Sequence, residues 1–332
     1  MIQDSGKKLE FIERTKGFAI LLVVLAHLVQ YGTLGSPEWY SSLKYDIYKF
    51  HMPLFMFLSG YVFFHTRMHE RALTDFRSYF IRRADRLLVP FFAMGVAMIA
   101  GKLIAAQFLY VDQAPVSIAQ GLLQMVHDTE SSPVLAIWYL FVLFVYGTAT
   151  PWLLRLTGGR IWPLVIAGIA LFFLTIPDEL YANRVSRYFF FFIVAGLFVL
   201  PVPRLPIHST RLRIAFTTLF LFVLLLPIPM PQILLVCGFA ACLAIPSLLS
   251  YVPGRSAQFL GWIGKNTMVI YLFNTIFIGL SKAAYIKLFP YHGLWFMALL
   301  GVTFLAGLFL PILLRMALGR IAVTRNVLTY IS

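Results

Sequence analysis

Apolar stretches long enough to cross a bilayer recur along the whole chain, and they constrain the fold more than any other feature. A spanning helix needs about 20 predominantly apolar residues. Such stretches occupy residues 15–34, 47–66, 87–108, 134–154, 160–176, 187–202, 212–229, 231–250, 260–281 and 294–317. Charged residues make up only 12% of the 332, too few for a water-soluble surface. The sequence predicts an all-α polytopic membrane protein with about ten transmembrane helices, in a single membrane domain over residues 1–332 without a separate soluble domain.

The basic residues are distributed unevenly over the segments that join these stretches. With the N-terminus placed inside, 20 of the 27 lysines and arginines fall in cytoplasmic segments and 6 in outer segments. Lysine and arginine accumulate on the cytoplasmic side of membrane proteins. Both termini are therefore expected in the cytoplasm. The net charge of +14 is then explained by loops that contact anionic membrane lipids, and no nucleic-acid partner is expected.

The first apolar stretch carries a lysine and a histidine eleven residues apart, Lys16 and His27. On a helix they would lie about 16 Å apart along the axis and about 20° apart around it, so both would line one face. An ionisable residue deep in an apolar segment is costly and by default marks a functional site. The alternative is that Lys16 anchors the helix at the membrane surface and that His27 hydrogen-bonds to a neighbouring helix.

Two further stretches bring polar residues to a similar depth. His51 opens the second stretch from the outside, and its depth should differ from that of His27 by less than about 10 Å, so the two histidines could face one cavity. Otherwise His51 is an interfacial residue bonded to the outer loop. In the ninth stretch Lys265 lies where a helix N-terminus helps to bind an anion. Asn274 lies about 14 Å deeper, where hydrogen bonding between helices would also explain it.

The first cytoplasmic segment contains six arginines and no lysine. They are Arg67, Arg71, Arg77, Arg82, Arg83 and Arg86. Guanidinium groups bind phosphate oxygens through paired hydrogen bonds, so this segment predicts a cytosolic site for a phosphorylated ligand. The alternative is a topology signal that contacts lipid headgroups. At the outer end of the fourth stretch, Trp138 and Tyr139 fit an interfacial aromatic belt, with stacking on a ligand as the second interpretation.

Taken together, these motifs resemble acyltransferase family 3 of integral-membrane O-acyltransferases, and most of all its branch of fucose O-acetylases and exopolysaccharide acetyltransferases. The family's hallmark is a basic residue, ten residues and then a histidine in the first span. Lys16 and His27 match it, with lysine in place of the commoner arginine. Asn274 stands where many members have histidine. The other matching segments are residues 50–55, 59–61, 83–86 with Pro90, 138–140, 264–267 and 270–272.

The resemblance implies transfer of an acyl group, usually acetyl, from cytosolic acyl-CoA to a hydroxyl of a surface glycan or its lipid-linked precursor, in the bacterial inner membrane. It gives His27, Lys16 and His51 catalytic roles, with no metal involved. CoA would be bound by Lys16, Arg82, Arg83, Arg86 and Lys265. The acceptor would be bound by His51, Trp138, Tyr139, Tyr271 and Asn274.

The chemistry at His27 stays open between a general base and a covalent acyl carrier. A small-molecule or lipid acceptor is an alternative to the glycan. A transporter or flippase is a more distant one, because the chain shows none of the inverted repeats typical of transporters.

Overall fold

The computed structural model describes residues 2–29, 36–108, 111, 113–200, 210–226 and 232–320, with side chains from Glu10 onward. These residues form helices and contain no strand, so the predicted all-α polytopic membrane fold is confirmed. In chain order the α-helices of the described part are α1 (Ile2–His27), α2 (Glu38–Tyr48), α3 (His51–His65), α4 (Met68–Thr74), α5 (Phe76–Ala105), α6 (Ile118–Val126), α7 (Trp138–Leu156), α8 (Trp162–Phe172), α9 (Ala182–Val194), α10 (Thr210–Leu224), α11 (Gln232–Leu249), α12 (Gly254–Lys265), α13 (Thr267–Leu288) and α14 (Leu294–Arg320).

Each of the ten predicted stretches overlaps a helix, and the ninth overlaps two. Among the described residues, six helical segments are long and apolar enough to cross a membrane, and α8 is apolar but shorter. The six segments are Glu38–His65, Phe76–Ala105, Leu135–Leu156, Gln232–Leu249, Thr267–Leu288 and Leu294–Arg320. The count of ten spans and the cytoplasmic termini stay predictions. The predicted ends at residues 34, 202 and 229 and the predicted start at residue 231 lie outside the described residues.

Two helices begin or end elsewhere than the hydropathy predicts. Helix α1 ends at His27, so this histidine terminates the helix rather than lying within it. Helix α5 begins at Phe76, well before the predicted residue 87. The Asp75 carboxylate caps it by accepting a hydrogen bond from the backbone N–H of Ser78 at 3.1 Å. The arginine-rich segment predicted as a loop is therefore largely helical.

The predicted ninth stretch is interrupted near its cytoplasmic end. Asn266 has φ −101° and ψ 9°, which separates α12 from α13. Its side-chain amide donates to the carbonyl of Trp262 at 2.9 Å. Asparagine commonly bonds to nearby backbone in this way and so competes with a continuous helix.

The chain divides into two compact units, and the division falls within α3. Unit 1 comprises Met1–Phe55 and Arg204–Ser332, and unit 2 comprises Met56–Pro203. In unit 1, α1 packs against α2, α11, α12, α13 and α14. In unit 2, α4, α5 and α9 pack against α7. Helix α1 is thus the central helix of unit 1, and α7 has the corresponding place in unit 2.

Helices α1 and α12 approach so closely that only glycine fits at two crossing positions. A Cβ atom at Gly17 would lie 1.9 Å from the carbonyl oxygen of Leu260. A Cβ atom at Gly264 would lie 1.8 Å from the carbonyl oxygen of Glu13. Small residues permit this kind of backbone contact between membrane helices. Lys16 and Lys265 directly adjoin the two glycines, so the crossing also fixes where these lysines emerge.

Candidate functional site

Helix α1 ends at His27, and helix α2 satisfies the polar groups of that end. The Tyr40 hydroxyl donates to the carbonyl of Leu25 at 2.9 Å and accepts from the backbone N–H of Val29 at 3.2 Å. The Lys44 ammonium group donates to the carbonyl of Val29 at 2.9 Å. The last carbonyls of a helix have no partners inside it, so these bonds from buried side chains fix the end of α1. They thereby hold the backbone that carries the His27 ring.

Asn274 of α13 lies beside the His27 imidazole, close enough to interact with it. Its amide nitrogen donates to the carbonyls of Ile270 at 2.8 Å and Tyr271 at 2.9 Å. Only the NH₂ end of an amide can bond two carbonyls, so the amide oxygen lies on the other side. Among the described residues, Asn274 Oδ1 and His27 Nδ1 are both buried without a hydrogen bond of regular geometry. Buried polar atoms without a regular hydrogen bond are rare, and two of them on neighbouring side chains make this a candidate site.

His51 of α3 is 3% exposed and is held in one tautomer. Its Nδ1 lies 2.8 Å from the carbonyl oxygen of Ile47, which can only accept a hydrogen bond. Nδ1 therefore carries the proton, and Nε2 carries the lone pair of a base. His27 interacts electrostatically with both His51 and Lys44. The structure thus gathers His27, His51, Asn274 and Lys44 in unit 1, and we call these four residues the histidine cluster.

The two lysines predicted to bind acyl-CoA lie near the crossing of α1 and α12. Lys16 is partly buried. The ammonium group of Lys265 lies 3.8 Å from a carboxylate oxygen of Glu13, and its side chain is largely exposed. Arg315 of α14 donates to the Asn266 amide oxygen at 2.8 Å and adds a cation that the sequence analysis treated only as a topology signal. The break after α12 therefore holds an arginine beside the predicted anion site.

In unit 2 the arginine-rich segment divides into two groups. Arg82 and Arg86 are exposed on α5, whereas Arg83 turns inward and donates to the carbonyl of Leu143 at 2.8 Å. Gly147 makes room for it, because a Cβ atom there would lie 1.8 Å from Arg83 Nε. Leu143 and Gly147 belong to the interior of α7. Arg83 therefore lies on a helix and packs against α7, which corrects the prediction that these arginines lie in a loop. The cytosolic location of the segment stays a prediction.

Three hydroxyl groups surround this inward arginine. The Tyr139 hydroxyl shares a hydrogen bond with the Ser59 hydroxyl and interacts electrostatically with Arg83. The Tyr79 hydroxyl donates to the carbonyl of Gly147 at 2.9 Å, and its ring lies 6.0 Å from the Arg83 guanidinium carbon. Charged residues inside membrane segments are rare and mark functional sites. The structure thus brings the predicted residues Arg83 and Tyr139 together in unit 2.

Trp138 is only 7% exposed. The Tyr188 ring lies 5.1 Å from it at an interplanar angle of 30°, and the Arg184 guanidinium carbon lies 5.2 Å from the ring centre. Trp138 thus packs against these two neighbours, and its stacking on a ligand stays a prediction. Within the described ranges, no group of three or more histidine, cysteine, aspartate or glutamate side chains could hold a metal ion.

Apolar spanning helices that enclose histidines and an inward arginine define a polytopic membrane protein with polar groups in its interior. A family model described as an acyltransferase domain matches residues 9–316. The chain belongs to this family, acyltransferase family 3, and its helices are those of a multi-pass membrane protein.

The chain is also similar to parts of two curated proteins. Both are named nodulation protein NolL. The protein from Sinorhizobium fredii is 41% identical over 80 residues, which is 23% of this chain and 20% of that protein. The protein from Mesorhizobium japonicum is 47% identical over 49 residues, which is 14% of this chain and 13% of that protein. The chain thus matches a fifth or less of the length of these relatives. No solved structure is significantly similar.

Proposed function

We propose that this membrane acyltransferase transfers an acyl group, acetyl in the first instance, from cytosolic acyl-CoA to a hydroxyl of an exported polysaccharide or its lipid-linked precursor in the bacterial inner membrane. The observation that carries the proposal is helix α1, with Lys16 beside the glycine crossing and His27 at the helix end. The two residues are about 16 Å apart along the axis. This is comparable to the extended pantetheine arm of CoA. A donor bound through phosphate at Lys16 can therefore place its thioester at His27.

His27 is proposed as the general base of a direct transfer. Its imidazole takes the proton of the acceptor hydroxyl while that oxygen attacks the thioester carbonyl. A carbon–oxygen bond forms, the carbon–sulfur bond breaks, and the CoA thiolate leaves and takes the proton back from the imidazolium. The orientation of the Asn274 amide supports this role, because its oxygen can accept from one ring nitrogen and leave the other as the base.

The remaining members of the histidine cluster supply charge and a second base. The Lys44 ammonium group is buried and fixed by the carbonyl of Val29. A fixed positive charge beside His27 would stabilise the negative charge that develops on the thioester oxygen. The Nε2 lone pair of His51 would orient the acceptor hydroxyl. Trp138, Tyr139 and Tyr271 remain proposed acceptor contacts. Arg82, Arg83, Arg86 and Lys265 remain proposed donor contacts.

Purified protein in lipid nanodiscs tests the donor part of this proposal. Lys16→Ala should raise the Michaelis constant for acetyl-CoA by about 10- to 100-fold, because a charge-assisted hydrogen bond contributes about 1.5–3 kcal/mol. Lys16→Arg should restore it, since arginine also supplies a cation. Arg320→Ala, at an exposed position on α14, serves as a control. An unchanged Michaelis constant in Lys16→Ala would contradict the donor site.

Mass spectrometry of surface glycans tests the acceptor part. Cells that produce the protein should carry O-acetyl groups that cells producing His27→Ala lack. Glycans that are identical in the two strains, together with acetylation of a small molecule or a lipid, would assign a different acceptor class.

A further inference from the structure

Arg187 of α9 carries a charge that no described side chain balances. It is half-buried, and its Nε is buried without a hydrogen-bond partner among the described residues. Arg184, one helical turn earlier, also has a buried Nε without a regular hydrogen bond, but it has an anionic partner. Its Nε lies 3.3 Å from a carboxylate oxygen of Asp178. The two neighbouring arginines have one carboxylate between them, that of Asp178, so the net charge of these three side chains is positive.

Asp178 pairs with Arg184 and not with Arg187. Its side chain is 4% exposed and already pairs with Arg184. Its backbone carbonyl accepts a hydrogen bond from the Thr129 hydroxyl, which ties two loops of unit 2 together. The second carboxylate oxygen, Oδ1, is buried without a hydrogen bond, and among the described residues no ion pair joins Asp178 to Arg187.

Aromatic side chains hold the two arginines in place. Arg184 lies over the Trp138 ring, and the Tyr188 ring stacks against the same tryptophan. The Tyr188 hydroxyl interacts electrostatically with both Arg184 and Arg187. Arg187 therefore belongs to a packed cluster, which we call the α9 arginine site and define as Trp138, Asp178, Arg184, Arg187 and Tyr188.

A partly buried guanidinium without an anionic partner is costly, and the usual reason for keeping one is an anionic ligand. A guanidinium binds a carboxylate through two parallel hydrogen bonds, and the neighbouring Tyr188 hydroxyl can bond a sugar hydroxyl. We propose that the α9 arginine site binds the carboxylate of a uronic acid, so that the acceptor is an acidic polysaccharide. This inference rests on the proposed glycan acyl transfer and names the chemical class of the acceptor.

A lipid headgroup is the competing anion. Arginines that contact headgroups typically extend along the membrane surface with the charged group in water. Arg187 instead has its Nε buried and lies near the Tyr188 hydroxyl, which also interacts with Arg184. Its surroundings favour a ligand that enters a fixed site.

Equilibrium binding to the full chain in phosphatidylcholine nanodiscs, without donor, tests the proposal. The probes are an oligogalacturonate and its fully methyl-esterified form. The wild-type protein should bind the acid at least about 10-fold more tightly than the ester, as one charge-assisted hydrogen bond predicts. Arg187→Gln should remove this preference, and Arg187→Lys should keep part of it. Lys287→Gln, at an exposed lysine of unit 1, is the matched control and should bind like the wild type.

Equal binding of acid and ester by the wild type, or the same preference in Arg187→Gln, would overturn the proposal. So would loss of oligogalacturonate binding when phosphatidylglycerol replaces phosphatidylcholine, because the lipid would then be the ligand. If Arg187→Gln fails to fold, Arg187→Lys alone must show a weaker preference. Equal acetylation of neutral and acidic glycans would refute the acidic acceptor and leave the acyl transfer standing. Acid-selective binding without any transfer would refute the acyl transfer and leave the α9 arginine site standing.

Discussion

Replacing Gly264 with alanine tests whether the crossing of α1 and α12 positions the proposed catalytic helix. The new Cβ would lie 1.8 Å from the Glu13 carbonyl oxygen, whereas ordinary contact begins at 3.4 Å. The two backbones must therefore separate by about 1.6 Å, since neither is a side chain that can rotate away. Overpacking of this kind costs about 1–3 kcal/mol. A displacement of about 1 Å at a reacting group can lower a rate by about 100-fold.

We therefore expect Gly264→Ala to lower kcat by about 100-fold with a moderate loss of thermal stability. Gly261→Ala is the matched control on the same helix, because its Cβ would meet only the Arg14 Cγ atom, at 3.9 Å. Both variants are compared with the wild type by single-turnover acyl transfer and by thermal unfolding in the same detergent. Equal transfer rates in the two variants would refute the argument that this crossing positions His27.

Three further predictions follow from other parts of the chain. Arg83→Gln should raise the Michaelis constant for acyl-CoA by about 10-fold or more. Arg83→Lys should not restore it, because a compact ammonium group cannot reproduce the planar, extended set of donors with which the guanidinium reaches the Leu143 carbonyl and a phosphate; steady-state kinetics checks both variants. Burial beside Phe64 lowers the pKa of His69 below its ordinary 6.5. As the pH falls below about 6.5, His69 therefore binds a proton in the unfolded chain before it does so in the folded chain, and the folded state loses stability. The unfolding temperature should therefore fall from pH 7.5 to pH 5.5, and less so in His69→Gln; parallel curves would contradict this. Because 20 of the 27 basic residues fall on the predicted cytoplasmic side, Arg77→Cys should react with a membrane-impermeant thiol reagent only after the cells are opened. Labelling of this cysteine in intact cells would reverse the predicted orientation.

Hydropathy locates the helices of this chain better than it locates their ends. The ten apolar stretches coincide with helices because an apolar segment must satisfy its backbone hydrogen bonds internally. The polar first turns of α5 carry no such signal, so the arginine-rich segment was predicted as a loop. The local sign was Asp75 three residues before Ser78, which is the spacing of a helix N-cap.

The candidate site was predictable where it depends on one helix and not where it depends on two. Lys16 and His27 share a face of α1 at a fixed spacing, and the sequence shows that directly. The inward turn of Arg83 depends on Gly147 of a different helix, so spacing within α5 could not distinguish it from its neighbours. Lys44 was counted only as an outer-loop cation. Its position four residues after the buried Tyr40 is a helical spacing that could have placed both on one buried face.

The single-turnover rate of His27→Ala with a polysaccharide acceptor is the most direct test of the central claim. Loss of a general base should lower the rate by about 10²–10⁴-fold. Acyl-CoA binding should stay near the wild-type value, because Lys16 lies at the other end of the same helix face. His292→Ala, at an exposed histidine of unit 1, should transfer like the wild type. A rate in His27→Ala close to that of His292→Ala would contradict the proposal that acyl transfer takes place at the end of α1.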